Sequence, residues 1–405
     1  MFSLIDKEMK NKSKFRALVC CLADPSKNPR PNRIINLLNE LNFTVDIFSH
    51  KKSSELKVNK EYVIPNLNTT MTSKLSRGFL KLFRKFSPSL TAKIKITEKL
   101  ARISNLRKIE FKVYNLIVIE NLEFLPIVMN LKDKNNMVIC DLREYYPLEF
   151  ENSFFFRFFE SDFREIICKN FLSKCDLIMT VSNGLSDAYE KNFGIKPIVV
   201  YSTPFYNNLS PNIVCDKKIK CVHHGIANRD RKLENMIYMF KYLDNRFYLD
   251  FYLVGNKNYI NELKRKSEPF KERIRFLDPI PFNQIITSLH NYDIGLYLLE
   301  DTNFNTRFSL PNKFFEFIQA RLMVAIGPSP EMSKIVEQYE LGVVSENFKP
   351  YSLAKKLNSL QADAILKFKQ NSSVAARIFC YENEATKIKS KIEEIFNRKS
   401  KITII

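Results

Sequence analysis

Short apolar runs alternate with amphipathic segments along most of this chain, and the alternation begins twice. The first half opens with an apolar run at 15–23, a helical pattern at 34–41 and a strand-like run at 44–49. The second half starts the same order again at 219–223. Parallel strands need a helical crossover, which is almost always right-handed. The pattern therefore predicts an α/β protein with two Rossmann-like parallel sheets, whose ligand sites lie beyond the carboxyl ends of the strands.

The two halves predict two domains within the 405 residues. We expect an N-terminal domain over 1–203, with a basic amphipathic insertion at 74–108. The segment 204–218 is rich in Pro and Asn, as linkers are. A C-terminal domain follows over 219–372, and 373–405 is predicted to be a helix that packs back towards the N-terminal domain.

The segment 308–334 holds the clearest candidate site. Pro311 suits the first position of a helix, because it has no N–H to leave unpaired. Apolar and polar residues then recur at helical spacing, with Glu316 on the polar face. The run 323–326 is typical of a buried strand, and the Gly-Pro pair after it opens another helix near Pro330. A carboxylate such as Glu316 suits a vicinal diol, although it could equally be a solvated residue on an exposed helix face.

A basic turn follows the first strand of the second half. Residues 223–225 read His-His-Gly, and Arg229, Arg231 and Lys232 come next. Gly225 permits close approach of a ligand to the backbone, and the N-terminus of the following helix attracts anions. Arginine can pair with two phosphate oxygens at once. The turn is a candidate diphosphate site or, alternatively, a basic surface turn on a basic protein.

Polar residues also follow strands in the first half. Asp24 begins a polar loop after the first strand, and Asp141, Arg143 and Glu144 come at the end of the strand predicted at 137–141. Such positions can face a ligand at the carboxyl edge of a parallel sheet. The alternative role for each is loop capping.

The net charge of +20 is concentrated in one region. Residues 74–108 hold eleven Lys or Arg against one acid, and 74–86 has a helical pattern with an apolar and a basic side. A helix of this kind can lie on an anionic membrane surface. The residues predicted to contact the membrane are Lys74, Arg77, Lys81, Arg84 and Lys85. The alternative is a helix packed on its own domain with solvated charges.

Several signatures of other sites and locations are missing from the sequence. No Gly-x-Gly-x-x-Gly follows a strand, no Gly-x-Ser-x-Gly is present, and the eight cysteines lack metal-ligand spacing. We therefore expect no metal and no bound cofactor. No apolar stretch is long enough to cross a bilayer and no signal peptide is recognisable. The expected location is cytoplasmic, at the inner face of the plasma membrane.

These motifs together resemble those of a known family. Residues 310–320, which read LPNKFFEFIQA, with MVAIG and PEMxxIV after them, are similar to the donor-site signature of GT-B glycosyltransferases. The likeness is greatest to the retaining family-four, or group 1, enzymes of bacterial surface-polysaccharide synthesis. The His-His-Gly turn resembles their phosphate-binding segment, and DLREYYP at 141–147 and TVSNG at 180–184 resemble segments of their N-terminal domain. The resemblance extends over about residues 15–390.

This resemblance implies roles for named residues. The nucleotide-sugar donor would be bound by Gly225, Arg229, Arg231, Lys232, Pro311, Asn312, Lys313, Glu316, Pro330, Glu331 and Met332. The acceptor side would be lined by Asp24, Asn28, Arg30 and Arg33. The catalytic residues would be Asp141, Arg143 and Glu144. Within the donor set, Glu316 would bind the ribose and Arg231 the phosphates. The chain departs from the family at Phe308, where the first glutamate of the Glu-x7-Glu motif would stand.

The expected activity is transfer of a sugar from a nucleotide sugar to a lipid-linked glycan in cell-surface polysaccharide (capsule or lipopolysaccharide) biosynthesis, with retention and without a metal. A nucleotide-sugar epimerase of the same two-domain fold is the alternative, and it would convert the donor with no acceptor present. A nucleic-acid-binding protein, suggested by the net charge, ranks lowest because no recognised nucleic-acid motif appears.

Overall fold

The computed structural model describes residues 15–50, 56–64 and 104–402. The predicted membrane helix at 74–86 and its five basic residues lie outside these ranges. Within the described residues, no helix is both long enough and apolar enough to cross a membrane.

Contacts between residues divide the chain into two units. The first unit contains the chain up to Val181, Leu185–Val200 and the residues from Lys387 onward. The second unit contains Ser182–Gly184 and Tyr201–Thr386. The division after Val200 falls three residues before the end of the domain predicted at 1–203.

The first unit is built on a parallel sheet. Its described strands are β1 (Arg16–Cys20), β2 (Thr44–Ser49), β3 (Lys60–Val63), β4 (Leu116–Ile119), β5 (Met137–Leu142), β6 (Leu177–Thr180) and β7 (Ile198–Val199). They lie in the order β3-β2-β1-β4-β5-β6-β7. Every side chain of β4 is buried, as expected for a central strand of a sheet covered on both faces. The strand order reverses between β1 and β4, which is where ligands bind in open α/β sheets.

The helices of the first unit connect these strands. They are α1 (Pro29–Glu40), α2 (Leu125–Leu131), α3 (Phe154–Phe159), α4 (Ser161–Phe171) and α5 (Asn183–Phe193), the last of which starts with residues grouped in the second unit. α1 starts with Pro29 at its first position and Asn28 as its N-cap, whose side chain accepts a hydrogen bond from the Arg30 N–H at 3.4 Å. This cap fixes where the loop after β1 ends.

The second unit repeats the design. Its described strands are β8 (Ile219–Ala227), β9 (Phe247–Gly255), β10 (Ile274–Leu277), β11 (Ile294–Tyr297), β12 (Met323–Ile326) and β13 (Gly342–Val344). They are parallel and lie in the order β10-β9-β8-β11-β12-β13. The order reverses between β8 and β11, so the carboxyl end of β8 is the expected ligand position.

Helices connect the strands of the second unit and continue to its end. They are α6 (Glu234–Tyr238), α7 (Lys257–Ser267), α8 (Ile285–Leu289), α9 (Phe304–Arg307), α10 (Asn312–Gln319), α11 (Pro330–Gln338), α12 (Pro350–Asn358), α13 (Ala362–Ile378) and α14 (Tyr381–Ile402). The residues of α14 from Lys387 onward are grouped with the first unit. The sheet and these helices enclose an apolar core that includes Leu249, Phe251, Leu296 and Leu298.

Two predictions about helices were wrong. The segment 373–405 is not one helix, because α13 ends at Ile378 and α14 starts at Tyr381. Phe379 leaves the helical conformation with ψ +65° and buries its ring, and the Tyr381 N–H donates to the carbonyl of Pro204 at 2.8 Å. Pro311 is the N-cap of α10 rather than its first residue, with an extended ψ of 151°.

The segment predicted as a linker, 204–218, is held by side chains of the second unit. Arg321 is fully buried and adopts a left-handed φ of +62°. Its guanidinium donates hydrogen bonds to the carbonyl oxygens of Leu209 at 3.1 Å and of Asn207 at 2.5 Å. The Asn207 N–H in turn donates to Gln319 at 3.1 Å. These bonds satisfy backbone groups that an irregular segment would otherwise leave unpaired.

Candidate functional site

β8 runs to Ala227, so Gly225 lies inside the strand near its carboxyl end, and the turn follows at 228–232, later than the sequence predicted. Residues 225–232, which include the end of the strand and this turn, form what we call the Gly225 turn. Gly225 has a φ of +109°, which glycine adopts without the steric cost that a side chain would bring. A Cβ on this residue would lie 3.2 Å from Nζ of Lys313. Gly225 therefore allows the left-handed backbone conformation near the end of β8 and also leaves room for Lys313.

Lys313 lies on α10 and is buried beside this turn, with 6% of its surface exposed. Its Nζ donates a hydrogen bond to the carbonyl of His224 at 2.5 Å and lies 3.3 Å from Nε2 of His223. The Tyr297 ring centroid is 4.8 Å from the same nitrogen. Burial lowers the pKa of Lys313 well below its ordinary value, and the positive charge of Arg231 lowers it further.

His223 is fully buried and completes this arrangement. Its Nδ1 lies 2.8 Å from the carbonyl of Leu296, which assigns the proton to Nδ1 and leaves Nε2 as an acceptor for Lys313. Burial lowers the pKa of His223 well below its ordinary value, and Lys313 lowers it further. The imidazole is therefore neutral near pH 7, and His223 is a packed, hydrogen-bonded residue.

Glu316 lies one turn further along α10 and is buried, with 7% of its surface exposed. Its Oε2 is 3.2 Å from Nε2 of His224, although the pair does not have hydrogen-bonding geometry. The expectation of a solvated glutamate on an exposed helix face is thereby excluded. Because a buried carboxylate needs a partner, Glu316 retains acceptor capacity that suits hydroxyl groups of a ligand.

The basic residues after Gly225 have different surroundings. Arg231 is half-buried and donates to the carbonyl of Ile226 at 3.3 Å. Arg229 forms an ion pair with Glu262 at 2.6 Å. Lys232, with a left-handed φ of +44°, forms one with Glu300 at 2.5 Å. Among the ion pairs of the described residues, none involves Arg231, so its charge is the most available to an anion.

The other predicted donor residues lie around the starts of two helices. Asn312 is the first residue of α10, and Pro330 is the first residue of α11. Met332 is fully buried and belongs to the core. Glu331 is 3% exposed, and its carboxylate accepts hydrogen bonds from the N–H groups of Asn183 and Gly184, which belong to the same unit. Phe308, at the end of α9, packs its ring 4.9 Å from that of Phe304.

In the first unit, the structure pairs two predicted residues that lie far apart in sequence. Arg30 and Asp141 are both buried, and their side chains form a two-pronged ion pair through Nε and Nη2 of the arginine. Nη1 of Arg30 donates to the carbonyl of Val200 at 2.8 Å. Burial alone would lower the pKa of Arg30, but Asp141 raises it above its ordinary value. The pair fixes α1 on the carboxyl edge of β5.

The remaining predicted residues of the first unit make local contacts. Asp24 accepts hydrogen bonds from the N–H of Ser26 at 3.0 Å and from its hydroxyl at 2.6 Å, so it caps the loop. Arg33 is half-buried on α1. Arg143 donates to the backbone carbonyl of Glu120 at 3.2 Å. The backbone carbonyl of Glu144 accepts from the Tyr189 hydroxyl at 2.9 Å.

Glu120 is the residue at this edge that sequence reasoning missed. It directly follows β4 at the point where the strand order reverses, and its side chain is fully buried. Neither carboxylate oxygen has a hydrogen-bond partner. Burial raises the pKa of Glu120 to about 8, and Asp141 adds to the rise, while Arg143 and Arg30 oppose it. A charged residue directly after the apolar run 116–119 was the signal available in the sequence.

The described residues contain no group of three or more His, Cys, Asp or Glu side chains positioned to hold a metal ion. In both units the predicted residues come to the carboxyl edge of a sheet. In the second unit these are Gly225, Lys313 and Glu316, and in the first they are Arg30 and Asp141.

Comparison with known proteins gives a result for structure alone, since no protein-family model and no curated protein matches the sequence. HepE from Anabaena, solved with UDP, is similar over 96% of this chain and 100% of its own, with a TM-score of 0.64 and 11% identity. The chain has the GT-B fold. A TarM mutant from S. aureus, solved with fondaparinux, α-GlcNAc-glycerol and UDP, covers 95% of this chain and 100% of its own (TM-score 0.66, 10% identity). WaaG, a glycosyltransferase of lipopolysaccharide biosynthesis, covers 93% and 98% (TM-score 0.62, 12% identity).

Proposed function

We propose that this protein transfers a glycosyl group from a nucleotide-sugar donor to an acceptor. The observation that carries the proposal is the buried group at the carboxyl end of β8, where Glu316 and Lys313 meet the Gly225 turn. A buried carboxylate beside a basic glycine turn suits a ribose and the diphosphate attached to it. HepE and TarM were each solved with UDP, which makes UDP the first ligand to test.

Different residues of the second unit would bind different parts of the nucleotide-sugar donor. Glu316 would accept hydrogen bonds from the ribose hydroxyls. Arg231 would pair with the diphosphate, because Arg229 and Lys232 already have carboxylate partners. As the bond between sugar and phosphate breaks, negative charge grows on the leaving diphosphate, and a fixed guanidinium stabilises it. The proposed reaction therefore needs no metal, and we propose retention at the sugar on the resemblance to the family-four enzymes.

The first unit is assigned to the acceptor. Its polar residues gather at the carboxyl edge of β1, β4 and β5, where Arg30 is locked to Asp141 and Arg143 contacts the Glu120 carbonyl. Hydroxyl-rich acceptors suit such a set of donors and acceptors. We propose a lipid-linked glycan of cell-surface polysaccharide synthesis as the acceptor, because WaaG, which is similar in structure, is a glycosyltransferase of lipopolysaccharide biosynthesis.

Binding of UDP tests the donor site directly. Glu316→Gln and Arg231→Ala should each weaken binding, Arg231→Ala by about 1.5–3 kcal/mol, because each removes a charge-assisted hydrogen bond. Glu337→Gln is the matched control, since Glu337 is exposed in the same unit. Isothermal titration would measure the dissociation constants. Unchanged affinity in both site variants would refute the donor site.

Membrane attachment through 74–86 is a separate part of the proposal. Replacing Lys74, Arg77, Lys81 and Arg84 by Gln removes most of the positive charge of that segment. Each basic residue near an anionic surface contributes about 1 kcal/mol. Sedimentation with anionic vesicles at low salt should fall sharply in this variant, and equal sedimentation of the two proteins would argue against the membrane role.

A further inference from the structure

Lys313 is a buried basic residue with no carboxylate in hydrogen-bonding contact. Its two close polar partners are the carbonyl of His224 at 2.5 Å and Nε2 of His223 at 3.3 Å. A neutral amine has two N–H groups, and these two acceptors use both. The third N–H of an ammonium group would still need an acceptor, because the hydrogen bonds of Nζ among the described residues are these two.

The charged and titratable groups around Nζ come from every element packed against it. They are His223 and His224 of β8, Tyr297 of β11, Arg231 of the turn after β8 and Glu316 of α10. Arg231 disfavours a charge on Lys313, and Glu316, which lies beside His224, favours it. Burial outweighs the effect of Glu316, so the pKa of Lys313 in the free protein lies well below its ordinary value.

The Gly225 turn provides the direction for a third hydrogen bond. A Cβ on Gly225 would lie 3.2 Å from Nζ, and the glycine leaves that volume clear. A ligand oxygen that approaches the backbone of Gly225 closely would therefore come near the lysine. An oxygen that carries negative charge would also offset the field of Arg231, which is half-buried in the same turn.

We propose that Lys313 is a neutral amine in the free site, where its two acceptors use both N–H groups, and that binding of a nucleoside diphosphate is coupled to its uptake of one proton, after which the third N–H donates to the diphosphate across Gly225. The inference rests on the proposed donor site. The proton comes from solvent and joins the lone pair of Nζ, so that no other covalent bond changes. Lys313 thereby contributes its charge only when the diphosphate is present, and the free site avoids a buried cation close to the half-buried Arg231.

Proton uptake has a measurable consequence for affinity. If one proton enters with the ligand, the dissociation constant rises tenfold for each unit of pH over the range in which free Lys313 is neutral and bound Lys313 is charged. The terminal phosphate of UDP has its second pKa at about 6, so UDP is fully ionised over the pH range of this experiment. Affinity for UDP should therefore fall about tenfold between pH 7.5 and pH 8.5.

The test is calorimetric titration of the full-length protein with UDP at pH 8, in Tris and in HEPES. These buffers have different ionisation enthalpies, so the difference in measured heat counts the protons taken up. We expect about one proton per UDP for the natural protein and for Lys355→Met, which removes an exposed lysine of α12. Lys313→Met should bind more weakly, with little or no uptake and a nearly pH-independent affinity.

The outcomes separate the two proposals. Binding of UDP without proton uptake by the natural protein would overturn the coupling and leave the donor site standing. Uptake that persists in Lys313→Met would place the proton on another group and would also overturn it. No binding of UDP, UDP-glucose or other nucleoside diphosphates by the natural protein would overturn the donor site and the coupling together. The buffer comparison on the natural protein decides the matter even where Lys313→Met fails to fold.

Discussion

Replacing Glu120 by glutamine should change how the stability of the first unit depends on pH. The carboxyl is fully buried without a hydrogen-bond partner, and its pKa is raised from 4.5 to about 8. An unfolded chain releases this proton at pH 4.5, whereas the native protein keeps it. The free energy of unfolding is therefore unaffected by this group below pH 4.5, and it falls progressively as the pH rises to about 8.

The magnitude follows from the two pKa values. Each unit between them corresponds to 1.36 kcal/mol. At pH 7 the raised pKa costs the native state about 3 kcal/mol, and above pH 8 about 5 kcal/mol. Glutamine has nearly the same shape and does not titrate. Its amide also lacks partners at this position, but that penalty is constant with pH. Between pH 5 and pH 8, the difference in unfolding free energy between the two proteins should change by about 3–4 kcal/mol in favour of the glutamine variant.

The assay needs a signal from the first unit alone. The chain contains no tryptophan, and Phe150 is 56% exposed in this unit, so Phe150→Trp supplies a local fluorescence reporter. Urea denaturation would be measured in that background at several pH values, with Glu110→Gln as the control at an exposed glutamate. A stability difference that stays constant from pH 5 to pH 8 would refute the reasoning, because it would mean that Glu120 is ionised in the native protein.

Three further substitutions test the packing of the second unit by denaturant unfolding. Lys369→Met should cost about 3–5 kcal/mol, because it leaves the buried carboxylate of Asp293 without its ion-pair partner at 3.1 Å; the added change Asp293→Asn should restore part of the loss. Gly342→Ala should cost about 1–3 kcal/mol or more, since its Cβ would lie 1.9 Å from the Val324 carbonyl oxygen. Gly225→Ala should cost about 1–3 kcal/mol through its φ of +109°. Wild-type midpoints in these variants would contradict the contacts described.

The sequence predicts the strands best where an apolar run has clear ends. The run 323–326 lies between a helical pattern and Gly-Pro, and the structure has β12 at these residues. β3, at Lys60–Val63, could not be found in the same way, because it is a half-exposed edge strand with no apolar run. An edge strand is defined by its neighbour, here β2, and this pairing is a tertiary contact.

For the candidate site, residue types were predictable and partners were not. The position of Glu316 on a helix before a buried strand could be read from spacing, but its burial against His224 could not. Arg30 and Asp141 are 111 residues apart, and their pairing depends on the sheet order. Glu120 escaped notice because an unpartnered carboxyl is recognised only when its surroundings are known.

The bonds that Arg321 makes to the segment 204–218 decide where this chain can be cut. Composition alone would place a protease site or a fragment boundary within that segment. Its carbonyl groups, however, are held by a fully buried arginine, and loss of the segment would remove two acceptors of that charge, leaving those at Gln319 and Ile318. An expressed fragment of the second unit should therefore begin at Tyr201. One that begins at Ile219 would lose both arginine bonds and should be poorly soluble.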